Sequence, residues 1–355
     1  MADLQGAEIA LWVEARDREA AFDAATTPCV GHPAATGIGP GWPAPALGAG
    51  GAAGARRRAA DARAAYLAMA RARARAAADH VRAVHERSHG RDGFAQLDCT
   101  PDLADDAAAM VAFAEEARGA VGAPNLLVGV PATDAGLAAL QELTYRGVGV
   151  AVNAIFSPQR HARAIEAYTR GLERRLIEGK ALAGIHSVAW FPVAALDQQL
   201  NLALDAASPL RDAVAVAVAQ VAYLSAVRAF ASPRWGRLRG RGAGEQRVGF
   251  CDLSAQLPPP SVAYARRLLL PGSVLALAPA ALPALADEPD VEPVEADETE
   301  ARWVLREAVA AGALPGRAGA EAQRADLARA LCAYGKRLVE LASTTRRPGL
   351  DPCGA

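Results

Sequence analysis

Only two of the 355 residues are lysines, Lys180 and Lys336, and arginine almost replaces lysine elsewhere. Side-chain amine chemistry, such as Schiff-base formation, therefore has two carriers to choose from. The five cysteines (Cys29, Cys99, Cys251, Cys332 and Cys353) are odd in number and show neither CxxC nor Cys/His spacing. They read as buried thiols in a reducing compartment, not as a zinc or disulfide framework. No pair among His32, His161 and His186 has ligand spacing, so no metal is expected. His161, at a helix start after FSPQR, is expected at the surface. No GxGxxG or GxxxxGK[ST] follows a strand, which counts against nucleotide binding. The position that raises the sharpest question carries no side chain. Gly129 interrupts the apolar run of PNLLVGVPATDAGLAALQEL (124–143), and a glycine inside a strand marks a close approach to the backbone.

The elements that position these residues alternate. Strands are expected at GFAQLDC (93–99), NLLVGVPA (125–132), VGVAVNAIFS (148–157) and IHSVAWFPV (185–193). Helices are expected at 104–120, at 133–145 with Thr133 as N-cap, at 158–179 and at 196–206. Strands thus recur about every 30 residues, apolar on both faces, as in a parallel sheet covered by helices. Periodicity alone leaves a closed barrel and an open doubly wound sheet both standing. A Gly/Pro/Ala-rich segment (36–55) reads as a flexible loop, followed by a long Ala/Arg helix (56–86) that reads as a salt-bridged surface helix. Residues 287–300 read as an acidic, solvated loop leading into a helix around Trp303. The acidic loop is expected to balance the arginines of the long helix.

Composition narrows the function classes. The chain is 52% hydrophobic but only 5% aromatic, so a large core must be built from small side chains. A net charge of −1 gives no electrostatic footprint for nucleic acid or an anionic membrane. The long uncharged stretch 268–285 carries three prolines and a glycine and reads as strand plus loop, not as a membrane helix. No basic n-region and apolar h-region is visible at the start of the sequence. A single cytoplasmic domain over 1–355 is expected, without cofactor and with a small molecule as partner. Self-association is left open.

From Gly93 to Leu200 the residues closely resemble the central block of the transaldolase family. The matching motifs are PNL…VPAT…GL, VGVAVNAIFSPQR, AYTRGLE and IHSVAWFPV, with LDCTPDLADD upstream. The resemblance implies a (β/α)8 barrel with an extra C-terminal helix, near 326–343, laid across its mouth. It also implies that the Schiff-base lysine of the strand motif N-L-x-x-K-V/I-P is Gly129 here. Other implied site positions have lost polarity. Ala35 stands for a catalytic asparagine, Ala151 for an asparagine with Asn153 for a threonine, Trp190 for a serine, and Ala195 for the arginine that grips the phosphate. Two acids are implied to survive: Glu14 at the catalytic aspartate and Asp98 at the glutamate that moves protons through water. On the same resemblance Lys180 falls on the barrel's stability face and Lys336 on the C-terminal helix, while His186, near the bottom of its strand, is expected to be a structural hydrogen-bonder.

These losses suggest a pocket refitted for a bulky, apolar or aromatic ligand. The expected reaction is a cyclisation, isomerisation or lyase step in specialised biosynthesis, run by non-covalent acid–base chemistry. Trp190 would stack on the ligand, Asp98 would move the proton, Glu14 would assist, and Asn153 would donate to an oxyanion. Gly129, Ala35, Ala151, Ala195 and His32 would line the pocket, and loop 36–55 would close over it. The alternative is an inactive homologue acting as a binding, regulatory or partner protein. A barrel interior filled by Trp190 and its neighbours favours the alternative.

Overall fold

The structure is a computed structural model and describes residues 8–13, 52–253, 262–278, 281–286 and 291–343. Its centre is a wholly parallel sheet of β1 (Ala10–Val13), β2 (Ala95–Asp98), β3 (Leu126–Pro131), β4 (Val150–Asn153), β5 (Ser187–Pro192), β6 (Gln246–Cys251) and β7 (Val274–Leu277). The order is β1-β7-β6-β5-β4-β3-β2. The first strand thus pairs with the last, with Ala10 opposite Val274, and the others follow in chain order. That ring order is the one a (β/α)8 barrel has and an open doubly wound sheet lacks. The two edges, β1 and β2, are consecutive in sequence. Between them, residues 14–51 lie outside the described residues.

Helices follow the strands and cover the outside: α1 (Ala52–Arg87), α2 (Ala107–Val121), α3 (Asp134–Arg146), α4 (Pro158–Ile177), α5 (Val193–Asn201), α6 (Val214–Phe230), α7 (Pro233–Arg239), α8 (Ala263–Arg267), α9 (Ala281–Ala286), α10 (Glu298–Ala310) and α11 (Pro315–Ser343). Local chemistry sets their ends. Asp106, Thr133 and Ser157 each accept from a backbone N–H in the first turn of α2, α3 and α4. Gly122 and Gly147 stop α2 and α3 at φ 64° and 78°. Residues 52–55, assigned to a loop from composition, are the first turn of α1. Among the described residues its arginines pair with Asp79, Asp102 and Glu116, while in the acidic segment Glu298 is taken by Arg228 and Arg302.

Alternation along the strands separates two apolar layers. Val128, Val130, Val152, Phe191 and Phe250 face out under the helices. Trp12, Phe94, Leu127, Ala151, Val188 and Trp190 face in and form a separate cluster inside the barrel. Among the described residues no single helix is long and apolar enough to cross a membrane.

Two expectations are corrected here. His161 is fully buried, not on the surface, with its ring edge-on to Phe191 at 5.2 Å. It belongs to the stripe of α4 that also carries Ala164, Ile165, Tyr168 and Leu172, so the helical period places it under the helix layer. The ring of His186 makes no hydrogen bond among the described residues; it packs against Phe94 at 5.0 Å.

Candidate functional site

The register of three neighbouring strands sets the site. Asp98 pairs with Gly129, and Gly129 with Ala151. All three therefore point into the barrel near the C-terminal ends of their strands. A Cβ on Gly129 would stand 1.8 Å from Asp98 Oδ1 and 2.8 Å from Asn153 Nδ2. The carboxylate of Asp98 lies where a side chain at 129 would begin. The glycine is there because Asp98 crosses it.

Asp98 Oδ1 accepts from Gln96 Nε2 at 2.6 Å and from Asn153 Nδ2 at 2.9 Å. Gln96 Nε2 also lies 3.2 Å from Asn153 Oδ1, and Gln96 Oε1 accepts from Trp190 Nε1 at 3.0 Å. Two N–H donors on one oxygen suit a carboxylate, which only accepts. Gln96 thus links the indole of Trp190 to the acid. Nothing in the sequence reading singled Gln96 out, although it is two residues before Asp98 and alternation places both on one face.

Below this network the barrel is packed. Trp190 is 3% exposed and Trp12 2% exposed, and their rings meet edge-on at 5.5 Å. Phe94 lies 5.9 Å from Trp12. A Cβ on Gly249 would sit 2.4 Å from the Trp190 ring, so the neighbouring strand gives way to the indole. Ala151 is fully buried beside this cluster, and Ala195 is buried on α5. Asp98 and Asn153 are half-buried at the upper rim. The structure therefore brings Asp98, Asn153, Gly129, Ala151 and Trp190 together. Glu14, His32 and Ala35 lie outside the described residues.

Neither lysine enters the barrel. Lys180 is exposed in the turn between α4 and β5, at the N-terminal ends of the strands, with Glu178 Oε2 at 2.8 Å and the Tyr145 hydroxyl at 2.7 Å. Lys336 is exposed on α11. That helix does lie over the C-terminal ends of the strands, and it starts eleven residues earlier than expected, at Pro315 rather than 326. Gln323 Nε2 donates to the carbonyls of Ala132 and Ala154, at 2.9 and 3.1 Å, just beyond β3 and β4. Gly319 lets the helix seat itself: a Cβ there would be 2.6 Å from the Phe156 carbonyl oxygen.

A second titratable cluster lies beside α5, outside the barrel. The Tyr264 hydroxyl is 3.0 Å from Asp197 Oδ2 and 3.3 Å from Asp212 Oδ1, and Asn201 donates to Asp197 at 2.6 Å. Burial, and then the carboxyl group of Asp212 beside it, push Asp197 up to about 6.

A parallel α/β barrel whose inward polar side chains gather at the C-terminal ends of the strands belongs to the class that places its sites on that face. Within that class, residues 51–327 match the transaldolase/fructose-6-phosphate aldolase family, and the chain belongs to it. It is 38% identical to Transaldolase 1 of Streptomyces coelicolor over 221 residues, which cover 61% of this chain and 58% of that protein. It is 34% identical to a transaldolase of Frankia alni over 244 residues, 66% of each chain. A transaldolase of Neisseria meningitidis is 33% identical over 212 residues, 59% of this chain and 60% of that one. The chain thus spans about three fifths of the length of the first of these relatives.

Proposed function

We propose that this chain is a transaldolase-family barrel that runs no imine chemistry and acts by binding rather than by turnover. The relatives bear the name transaldolase, and the family reaction needs an amine inside the barrel. The observation that carries our reading is the occupancy of that place. The Asp98 carboxylate crosses Gly129 and is held by Gln96 and Asn153, while both lysines of the chain are exposed elsewhere. The bulk of Trp190, at the position where the family resemblance implies a serine, supports it further. A reducing, cytoplasmic setting fits the free thiols Cys99, Cys251 and Cys332.

The test is borohydride trapping of the full chain with fructose 6-phosphate and erythrose 4-phosphate, read by intact mass, beside a transfer assay. No adduct and no transfer are expected. An adduct on either lysine, or measurable transfer, overturns the reading.

One observation favours a second reading, in which the barrel converts an apolar or aromatic molecule by acid–base chemistry. Asp98 and Asn153 are half-buried, hence reachable from the mouth. That reading needs space beside Trp190, which the 3% exposure of the indole does not offer. Thermal stabilisation by aromatic compounds that disappears in Asp98→Asn, together with turnover, would favour it.

A further inference from the structure

At the opposite end of the barrel, where the N-terminal ends of β2 to β5 meet the ends of α2 and α3, lies a cavity of about 390 Å³. It is larger than the ~150 Å³ that suffices for benzene and falls in the range of small-molecule sites. Phe94, Leu126 and Leu127 form its apolar wall, Gly149 and Gly184 keep it open, and His186 and Arg118 are its polar side chains. No carboxylate lines it.

The arginines around it have different duties. Arg75 donates to the Ala120 carbonyl and Arg175 to the carbonyls of Tyr145 and Ala181. Both satisfy oxygens left over at helix ends and beyond. Arg118 has no such role: among the described residues its guanidinium has neither a hydrogen-bond nor an ion-pair partner. The His186 ring is also without a hydrogen bond there, edge-on to His85 at 6.0 Å and tilted against Phe94 at 5.0 Å. Burial, and then His85, hold His186 down at about 4, so the imidazole is neutral at physiological pH. A neutral, half-buried imidazole offers a planar ligand a ring to pack on above the buried Phe94, and an uncommitted guanidinium at the rim offers a fork for a carboxylate.

We propose that this cavity binds a small planar organic anion, an aromatic carboxylate, with its ring against His186 and its carboxylate on Arg118. The site is separate from the Asp98 rim described above; resting on the proposed binding role, it gives a barrel without imine chemistry a ligand at its other end.

Benzoate is the probe, titrated into the full chain by calorimetry and by ligand-observed NMR, with inorganic phosphate as the ring-free anion. Saturable benzoate binding is expected, about tenfold or more weaker in Arg118→Gln, because a charge-assisted contact contributes roughly 1.5–3 kcal/mol. Arg118 is exposed and without partners, so that variant should fold normally. Phosphate should not compete, and Asp98→Asn, at the other end, should bind benzoate as the parent does. Absence of saturation, unchanged affinity in Arg118→Gln, equal competition by phosphate, or a loss in Asp98→Asn each overturns the proposal.

Discussion

Gly129 and His161 show how much a single position decides. At Gly129 even a methyl group must displace Asp98, whose Oδ1 would be 1.8 Å from it. Gly129→Ala should therefore destabilise the chain by about 1–3 kcal/mol, as overpacking does. Combined with Asp98→Ala it should cost less than the two single changes added together, since truncating Asp98 removes the group that the new methyl meets. Urea unfolding of the four proteins checks this; strict additivity would mean that the two positions do not compete for one space. His161 carries a different prediction. Its ring nitrogens are buried without a hydrogen bond; burial holds it down at about 4 against an ordinary 6.5, and the Ala222 backbone opposes this only in part. The folded state therefore binds fewer protons than the unfolded one between those values. Its contribution is intact above pH 6.5 and is lost as pH falls towards 4, by about 3 kcal/mol in total. His161→Leu should flatten that decline in urea midpoints measured from pH 7 to 4.5. The stripe that buries His161 was readable in the sequence, because 161, 164, 165, 168 and 172 share one helical face. The FSPQR context, with its polar helix start, outweighed the period. Gln96 was hidden for another reason: an uncharged amide suggests no proton chemistry, and only alternation with Asp98 reveals that it faces inward.

Among the elements, α11 and the α5–α6 connection govern what happens near the mouth. Gln323 ties α11 to the carbonyls of Ala132 and Ala154, two bonds made beyond the strand ends. Gln323→Ala should cost about 1–2 kcal/mol, and amide exchange should rise in α11 more than in β3 or β4. Uniform exchange throughout the chain would mean that α11 opens only with the whole barrel. Beside α5, Asp197 is raised to about 6 from an ordinary 3.8, so the sign is opposite to that of His161. The folded state there binds more protons, and the contribution is full below pH 3.8 and lost as pH rises through 6. Asp197→Asn should remove this loss, so its stability relative to the parent rises between pH 4 and 6.5 in thermal unfolding. A constant offset across that range would mean that folding does not raise Asp197. Strands β2 to β5 were legible as largely apolar runs, each followed by a helix, the first three of these capped by a side chain. β6 was not, because Gln246, Arg247 and Gly249 interrupt QRVGFC. Each of these has a structural cause. Gln246 donates to Ser187, Arg247 lies at the base of the barrel, and Gly249 makes room for Trp190.

For the whole molecule the question is what holds the ring together at its closed end. Hydrogen bonds between strands run from β1 through β7 to β2, and the side chain of Arg247 adds a clasp across the base. Its guanidinium reaches Asp92 Oδ1 at 2.8 Å before β2, the Ser273 carbonyl at 3.0 Å before β7, and the Glu8 carbonyl at 3.3 Å before β1. Asp92 in turn accepts from the Trp12 indole at 3.3 Å, so the clasp and the inner aromatic cluster share one carboxylate. The Arg247–Asp92 pair is largely buried, with side chains 16% and 28% exposed. Burial pulls the arginine down and Asp92 opposes this. Removing one partner of such a pair leaves the other charge unpaired, which is where the cost arises. Arg247→Ala should thus destabilise the chain by about 2–4 kcal/mol, scaled down from a fully buried pair because both groups keep some water. Arg247→Lys should recover little, since a single ammonium cannot span three strand ends as a fork does. In a double-mutant cycle with Asp92→Ala, guanidinium unfolding should show a coupling of about 1–3 kcal/mol. Coupling near zero would mean that the carbonyls, not the carboxylate, hold Arg247 in place, and that β1 is kept in the ring by its ladder with β7 alone.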